Sequence, residues 1–346
     1  MRIGRARAAA AHWVAAHARS EPGYRGAYFS GSTVGRPDGD MLPVSSDVDV
    51  VVVTAHDEPP AKPGKLLHEG ALLEISYIPW AELRDPEAVL GSYHAAGSFR
   101  TDTVIDDPTG RLRALYAAVS PLFADRTRVR RRCLDARHRV ESRLAAFDAS
   151  APFHDQVTAW MFPTAVTTHV VLVAALRNPT VRLRYPAARE VLDTYGHRDL
   201  YPELLELLGC AEVSAACVRH HADALARTFD ASVPVARTPF FFSGDLTERA
   251  RPVAVDGSRE LIDRGDHREA VFWIVATLAR CHTVLAADAP SLHTALLPDF
   301  RAAVADLTGI SGTPDILRRR EDVLRFLPRL WEATESILAA NPDITG

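Results

Sequence analysis

The spacing of apolar residues changes once along the chain, and that change limits the fold more than any other feature. Up to about residue 110 the apolar residues fall in short β-type runs: AYFSGS from Ala27, DVDVVVV from Asp47, ALLEISYIP from Ala71 and SFRTDTVID from Ser98. Turn residues separate them, and the Pro-rich stretch HDEPPAKPGK from His56 is expected to be a loop between the second and third. Beyond DDPTGRLRAL the period becomes helical, over 111–119, 127–147, 155–177, 186–194, 201–208, 211–229, 258–286, 291–307 and 314–340. The expected class is therefore α+β: a domain over residues 1–122 built on a small mixed β-sheet, followed by an all-helical bundle domain over residues 123–346. Pro163 is expected to kink the helix over 155–177. The stretch 231–245 is the longest apparent break and is expected to lie as a loop over a cleft.

Composition narrows the function classes. With 346 residues, 47% hydrophobic and 24% charged, the chain has ample material for a core. A net charge of −4 supplies no global attraction to nucleic acid or anionic membrane, so any polyanion site must be local. Cys133, Cys210, Cys217 and Cys281 show no metal-finger or CxxC spacing and read as reduced core thiols, which favours a cytoplasmic protein. The N-terminus has a basic, Ala-rich look, but Ile3, Ala6, Ala10, Trp13, Val14 and His17 recur at helical spacing, as in an amphipathic first helix rather than a leader. No apolar run is read as reaching the ~18 residues needed to cross a bilayer, so no membrane partner is expected. Lysine occurs only at Lys62 and Lys65, which reads as coding bias.

Two aspartates begin the valine-rich run. In a strand alternate side chains share a face, so Asp47 and Asp49 lie together while Val48, Val50 and Val52 face the other layer. Like charges held close in a partly dry place repel, and a hard divalent cation relieves them. Glu74 is the candidate third acid, because ALLEISYIP is an apolar strand with one carboxylate in its middle, costly if left unpaired. Gly31 lets backbone N–H groups approach a phosphate closely, and Ser32 adds a hydroxyl.

The ordered set of Gly31-Ser32 closing one strand, Asp47-Val48-Asp49 on the next and Glu74 on a third resembles the nucleotidyltransferase superfamily with the DNA polymerase beta type of catalytic fold. The helical second half makes the chain most similar to its small-molecule branch, which includes the kanamycin and other aminoglycoside nucleotidyltransferases. The resemblance covers roughly residues 25–80. It implies Mg²⁺-dependent transfer of a nucleoside monophosphate from an NTP, with ATP the first choice, to a hydroxyl of a small acceptor such as an aminoglycoside, releasing pyrophosphate. It also implies that Ser30, Gly31 and Ser32 hold the triphosphate and that Asp47, Asp49 and Glu74 bind two Mg²⁺ ions. Fourteen residues separate Ser32 from Asp47, and from that lengthened loop Arg36 is expected to reach the triphosphate. Glu74 stands where many members carry Asp, and its role is open between metal ligand and general base.

Other features receive weaker assignments. The Arg-rich stretch 125–143 is expected to be a solvated helix face, because its acids are interspersed and no aromatic residues interleave. Arg182, Arg184 and Arg189 could receive a phosphate or an acidic group. Adjacent His220 and His221 point about 100° apart on a helix and are expected to be one surface and one interface residue. Gly265 is expected to end one helix, with Asp266 capping the next and Glu269 in a capping-box position. Asp106 and Asp107 are expected in a turn and cap, outside the site. Asp245, Glu260 and Asp263 are candidates for binding a cationic acceptor. The alternatives are nucleotidylation of a protein or RNA acceptor, as in toxin-like members, and a nucleotide-binding regulator without turnover.

Overall fold

β-Branched residues dominate the strand over Val48–Thr54, and the N-terminal half is organised around it. The structure is a computed structural model that describes residues 1–43, 45–60, 62–178 and 182–346. Five strands are present: β1 (Tyr24–Ser30), β2 (Val48–Thr54), β3 (Gly64–His68), β4 (Ala71–Pro79) and β5 (Val104–Asp106). They lie in the order β3-β4-β2-β1-β5, with β2 and β4 parallel and every other pair antiparallel. The sheet is thus small and mixed, as the sequence predicts, but it has one strand more. β3 begins inside the Pro-rich stretch read as loop. With five residues, two of them strongly apolar, it carries too short a pattern to announce itself. A tight turn at Glu69 and Gly70, both at positive φ (47° and 79°), folds it back onto β4.

Alternation along β2 builds two layers. Val48, Val50 and Val52, with Leu73 and Ile75 of β4, pack against α1 (Ile3–Ala16) through Ile3, Ala6, Ala10, Trp13 and Val14. His17 falls one residue beyond that helix. The opposite face carries Tyr28 and Val53, covered by Leu90 of a short α2 (Pro86–Gly91), by Phe99 of the turn Ala96–Phe99 and by Leu112 and Leu115 of α3 (Arg111–Val119).

The helical half comprises α4 (Arg126–Ala145), α5 (Phe153–Ala174), α6 (Arg184–Thr194), α7 (Leu200–Leu207), α8 (Ala215–Ser232), α9 (Gly257–Asp263), α10 (His267–Asp288), α11 (Pro290–Thr308) and α12 (Thr313–Ala340). Their apolar faces merge in one core around α5 and α10. Pro163 sits within α5, which runs on through it as a single helix. Both α5 and α10 are long and apolar enough by composition to cross a bilayer, contrary to the expectation from sequence. Within those two windows 83% and 78% of the residues are buried inside the molecule.

Within the helical stretch 258–286, Gly265 adopts φ +93° and ends one helix before the next begins, as the sequence predicts; the capping differs. Asp266 makes no capping bond, and Glu269 does not close a capping box. Tertiary partners win both carboxylates: Arg189 reaches Asp266 at 2.8 Å and Glu269 at 2.7 Å, and the Tyr201 hydroxyl donates to Glu269 at 2.5 Å. The stretch beyond α8 is a chain of short helical turns, including Ser243–Asp245 and Glu248–Ala250. These turns close over the free edge of β3, where Gly64 and Gly244 meet so tightly that a Cβ on Gly64 would lie 2.8 Å from the Gly244 Cα.

Candidate phosphate and metal site

Register brings the site together. Ser30 of β1 lies opposite Asp49 of β2, Asp49 opposite Glu74 of β4, and Glu74 opposite Lys65 of β3. Directly paired residues share a face, so Ser30, Asp49, Glu74 and Lys65 form one row across four strands. Asp47 lies just before β2 and, two residues from Asp49, joins the same side. Carboxylate oxygens of Asp47, Asp49 and Glu74 all lie within 4.8 Å of one another. Three hard oxygen donors so spaced suit Mg²⁺ better than any soft metal.

The turn after β1 is shaped for this cluster. Gly31 adopts φ +67°, and a Cβ there would lie 1.7 Å from Asp49 Oδ2, so no other residue fits without displacing that carboxylate. Asn178 Nδ2 donates to the Gly31 carbonyl at 2.6 Å, and the Ser98 hydroxyl donates to the Ser30 Oγ at 3.0 Å. From α1, Arg7 ties the following loop by donating to the carbonyls of Thr33 at 2.5 Å and Arg36 at 3.1 Å.

Both lysines of the chain converge here, which composition alone did not foretell. The Lys65 ammonium bonds Asp47 Oδ2 and Glu74 Oε2, and Lys62 Nζ lies 3.2 Å from Glu74 Oε1. Asp245 Oδ1 stands 4.0 Å from Lys65 Nζ, brought there by the Gly64–Gly244 contact. Burial works against the charge on Glu74, but the two ammonium groups outweigh it and hold the carboxyl at about 2. Asp49 goes the other way: burial, then the charges of Asp47 and Glu74, push it up to about 8. Burial likewise raises Asp47, opposed by Lys65. Lys65 itself is raised, because Asp47 and Glu74 favour its charged form more than burial disfavours it.

These groups open into a cleft of about 890 Å³ between the sheet and the helices, lined by Ser30, Gly31, Ser32, Asp47, Asp49 and Glu74. That volume lies in the range of small-molecule sites. Arg36 does not line it; its guanidinium turns to the Asp40 carboxylate at 3.2 Å and the Met41 carbonyl at 3.5 Å. The helical wall adds Asp245 and Glu260, the latter accepting from the Ser45 hydroxyl at 2.5 Å, whereas Asp263 pairs with Arg219 at 2.8 Å away from the cleft. Arg182 lines the cleft, its guanidinium 5.2 Å from the centre of the Trp273 ring, with Nη1 buried and without a hydrogen-bond partner among the described residues. Burial pushes Arg182 down to about 10 even with Asp47, Glu260 and Asp245 nearby. Arg189 turns instead to Asp266 and Glu269.

The Arg-rich stretch divides. Arg128, Arg130 and Arg137 make surface ion pairs with Glu87, Glu335 and Glu141, at 2.7, 2.6 and 2.9 Å. Arg139 and Arg143, one turn apart on α4, reach the cleft with no ion pair among the described residues. Asp106 accepts from the Tyr24 hydroxyl at 3.0 Å and Asp107 from the Arg113 backbone at 2.9 Å, both outside the cleft. His220 is exposed, and His221 is buried against Asp306 at 2.9 Å. Comparison with protein-family models, with curated proteins and with solved structures returned no match.

Proposed function

We propose that the protein is a Mg²⁺-dependent nucleotidyltransferase that moves a nucleoside monophosphate from an NTP, ATP first, to a hydroxyl of a small acceptor. One observation carries this: Asp49 and Glu74 in one cross-strand row, joined by Asp47 into a three-carboxylate cluster, packed against a glycine turn that admits no side chain, at the wall of a cleft. Gly31 and Ser32 would take the triphosphate through backbone N–H groups and the hydroxyl. Arg139 and Arg143, free of carboxylate partners among the described residues, would neutralise the departing pyrophosphate from the helical wall. Mg²⁺ held by Asp47 and Asp49 would stabilise the charge that develops on the phosphoryl oxygens. The acceptor oxygen bonds to the α-phosphorus, the bridge to the β-phosphate breaks, pyrophosphate leaves and the hydroxyl proton passes to water. Of the roles open to Glu74, general base fits poorly, since a carboxyl held near 2 is a poor proton acceptor at neutral pH. Glu260 on the cleft wall suits a cationic acceptor such as an aminoglycoside, and Asp245, shared with Arg280 at 2.8 Å, adds to it.

The test is incubation with each α-labelled NTP, Mg²⁺ and a panel of hydroxyl compounds beginning with kanamycin. Product should gain the mass of one nucleoside monophosphate with release of pyrophosphate, and Asp49→Asn should abolish both. Tight Mg-NTP binding without pyrophosphate release from any acceptor would mark a nucleotide-binding regulator instead.

A further inference from the structure

The nucleotidyltransferase assignment above leaves open how many ions the carboxylates take, and the two lysines bear on it. In a chain whose other permanently charged basic residues are all arginine, the only two lysines both place their ammonium groups on Glu74. Composition bias supplies arginine nearly everywhere else, so the exceptions at one carboxylate call for a chemical reason. Lysine differs from arginine in carrying a compact point charge rather than a planar fork, the form of charge that most resembles a small metal ion.

Lys65 is fixed by the sheet rather than by a free rotamer. It pairs directly with Glu74 across the β3–β4 ladder, its side chain is only 5% exposed, and the Gly64–Gly244 contact seals the strand edge behind it. From there the ammonium bridges Asp47 Oδ2 and Glu74 Oε2, while Lys62 takes Glu74 Oε1. Asp49 is the exception in the cluster: its carboxylate makes no ion pair or hydrogen bond among the described residues. An ammonium on the oxygens shared by Asp47 and Glu74 and a dication on the same oxygens exclude each other by charge and by space. The carboxylate of Asp49, which abuts Gly31, and the Asp47 oxygen that Lys65 does not bond are what remain for an ion.

We propose that Lys65 is a tethered second cation, so that the site takes one divalent ion, on Asp47 and Asp49, and Lys65 neutralises Glu74 where a second ion would otherwise bind. Lys65 is then a positioning residue, because it acts through the two carboxylates it bridges. This rests on the carboxylates binding metal at all, and the experiment separates the two claims.

Protein-bound Mn²⁺ is counted by electron paramagnetic resonance on the full chain with saturating α,β-methylene-ATP, for wild type, Lys65→Arg and Lys65→Met. One ion per chain is expected in wild type and Lys65→Arg, and two in Lys65→Met. Two ions in the wild type would overturn the tethered-cation role while leaving the metal site standing. No ion in any of the three would overturn the metal site and this role with it. A second measurement needs no variant: with only two lysines, amine acylation followed by peptide mass spectrometry reads each separately. Lys65 is expected to stay protected, its labelling rate unchanged within about twofold, when Mn²⁺ and the analogue are added. A rise of about tenfold or more would show that the ion displaces it, and would overturn the role.

Discussion

Gly31 is the residue on which the turn after β1, and with it the proposed phosphate site, depends. Its φ of +67° lies where side chains are strained, and the space a Cβ would need is held by Asp49 Oδ2. Gly31→Ala is expected to cost about 1–3 kcal/mol in stability, measured by urea denaturation, and to abolish Mg-NTP binding. A variant that binds as the wild type does would show that the turn plays no part. Asp49 supplies a pH signature. Its carboxyl is raised to about 8 by burial and by Asp47 and Glu74, whereas in the unfolded chain it titrates near its ordinary 3.8. Between those values the folded state holds the extra proton, so the stability of the metal-free protein should fall as pH rises through that window. Asp49→Asn should remove this slope in melting curves recorded between pH 5 and 8. Because metal must displace the same proton, Mg²⁺ affinity should climb about tenfold per pH unit up to roughly 8 and then level off.

Among the elements, the edge strand β3 and the turn that covers it decide the electrostatics of the cleft. Gly244→Val would drive the Ser243–Asp245 turn away from Gly64 and withdraw Asp245 from Lys65. Expected results are a loss of about 1 kcal/mol, seen as a melting temperature lower by about 2–4 °C, and faster acylation of Lys65. This is also where the sequence was least legible. β2 declared itself by β-branched residues with alternating aspartates, and Glu74 by being the one acid in an apolar strand. The parallel register that sets Asp49 opposite Glu74 joins strands separated by a hairpin, and nothing local in either strand encodes it. Nothing local marks Lys65 as a site residue, because its strand is short and begins in a Pro-rich stretch. The capping box at Asp266 and Glu269 failed for a related reason: Arg189, distant in sequence, offers both carboxylates better partners than the helix N-terminus does. Arg36 was assigned from its place in a loop, and Asp40, four residues on, holds it on the surface.

At the scale of the molecule, the sheet layers and the helical core form separate apolar clusters, and the cleft lies where polar groups from both meet. A site built across such a boundary draws Asp47, Asp49 and Glu74 from the sheet side and Arg139, Arg143, Asp245 and Glu260 from the helical side, so ligand binding should tie the halves together. Mg-NTP is accordingly expected to raise the melting temperature, in proportion to the logarithm of its concentration above the dissociation constant. The change of period near residue 110 was enough to foresee this two-part build, because it depends on hydrophobic pattern alone. Which arginines turn inward was not foreseeable, since Arg139 and Arg143 differ from their surface neighbours only in the face of α4 they occupy. The most direct measurement is calorimetric titration of Mg²⁺ with ATP, GTP, CTP and UTP into wild type and Asp47→Ala/Asp49→Ala. Binding of at least one Mg-NTP by the wild type, lost in the double variant while its fold is retained, is the expected result. No binding of any NTP by a well-folded wild type would contradict it, and the carboxylates would then be no more than a lysine-neutralised strand face.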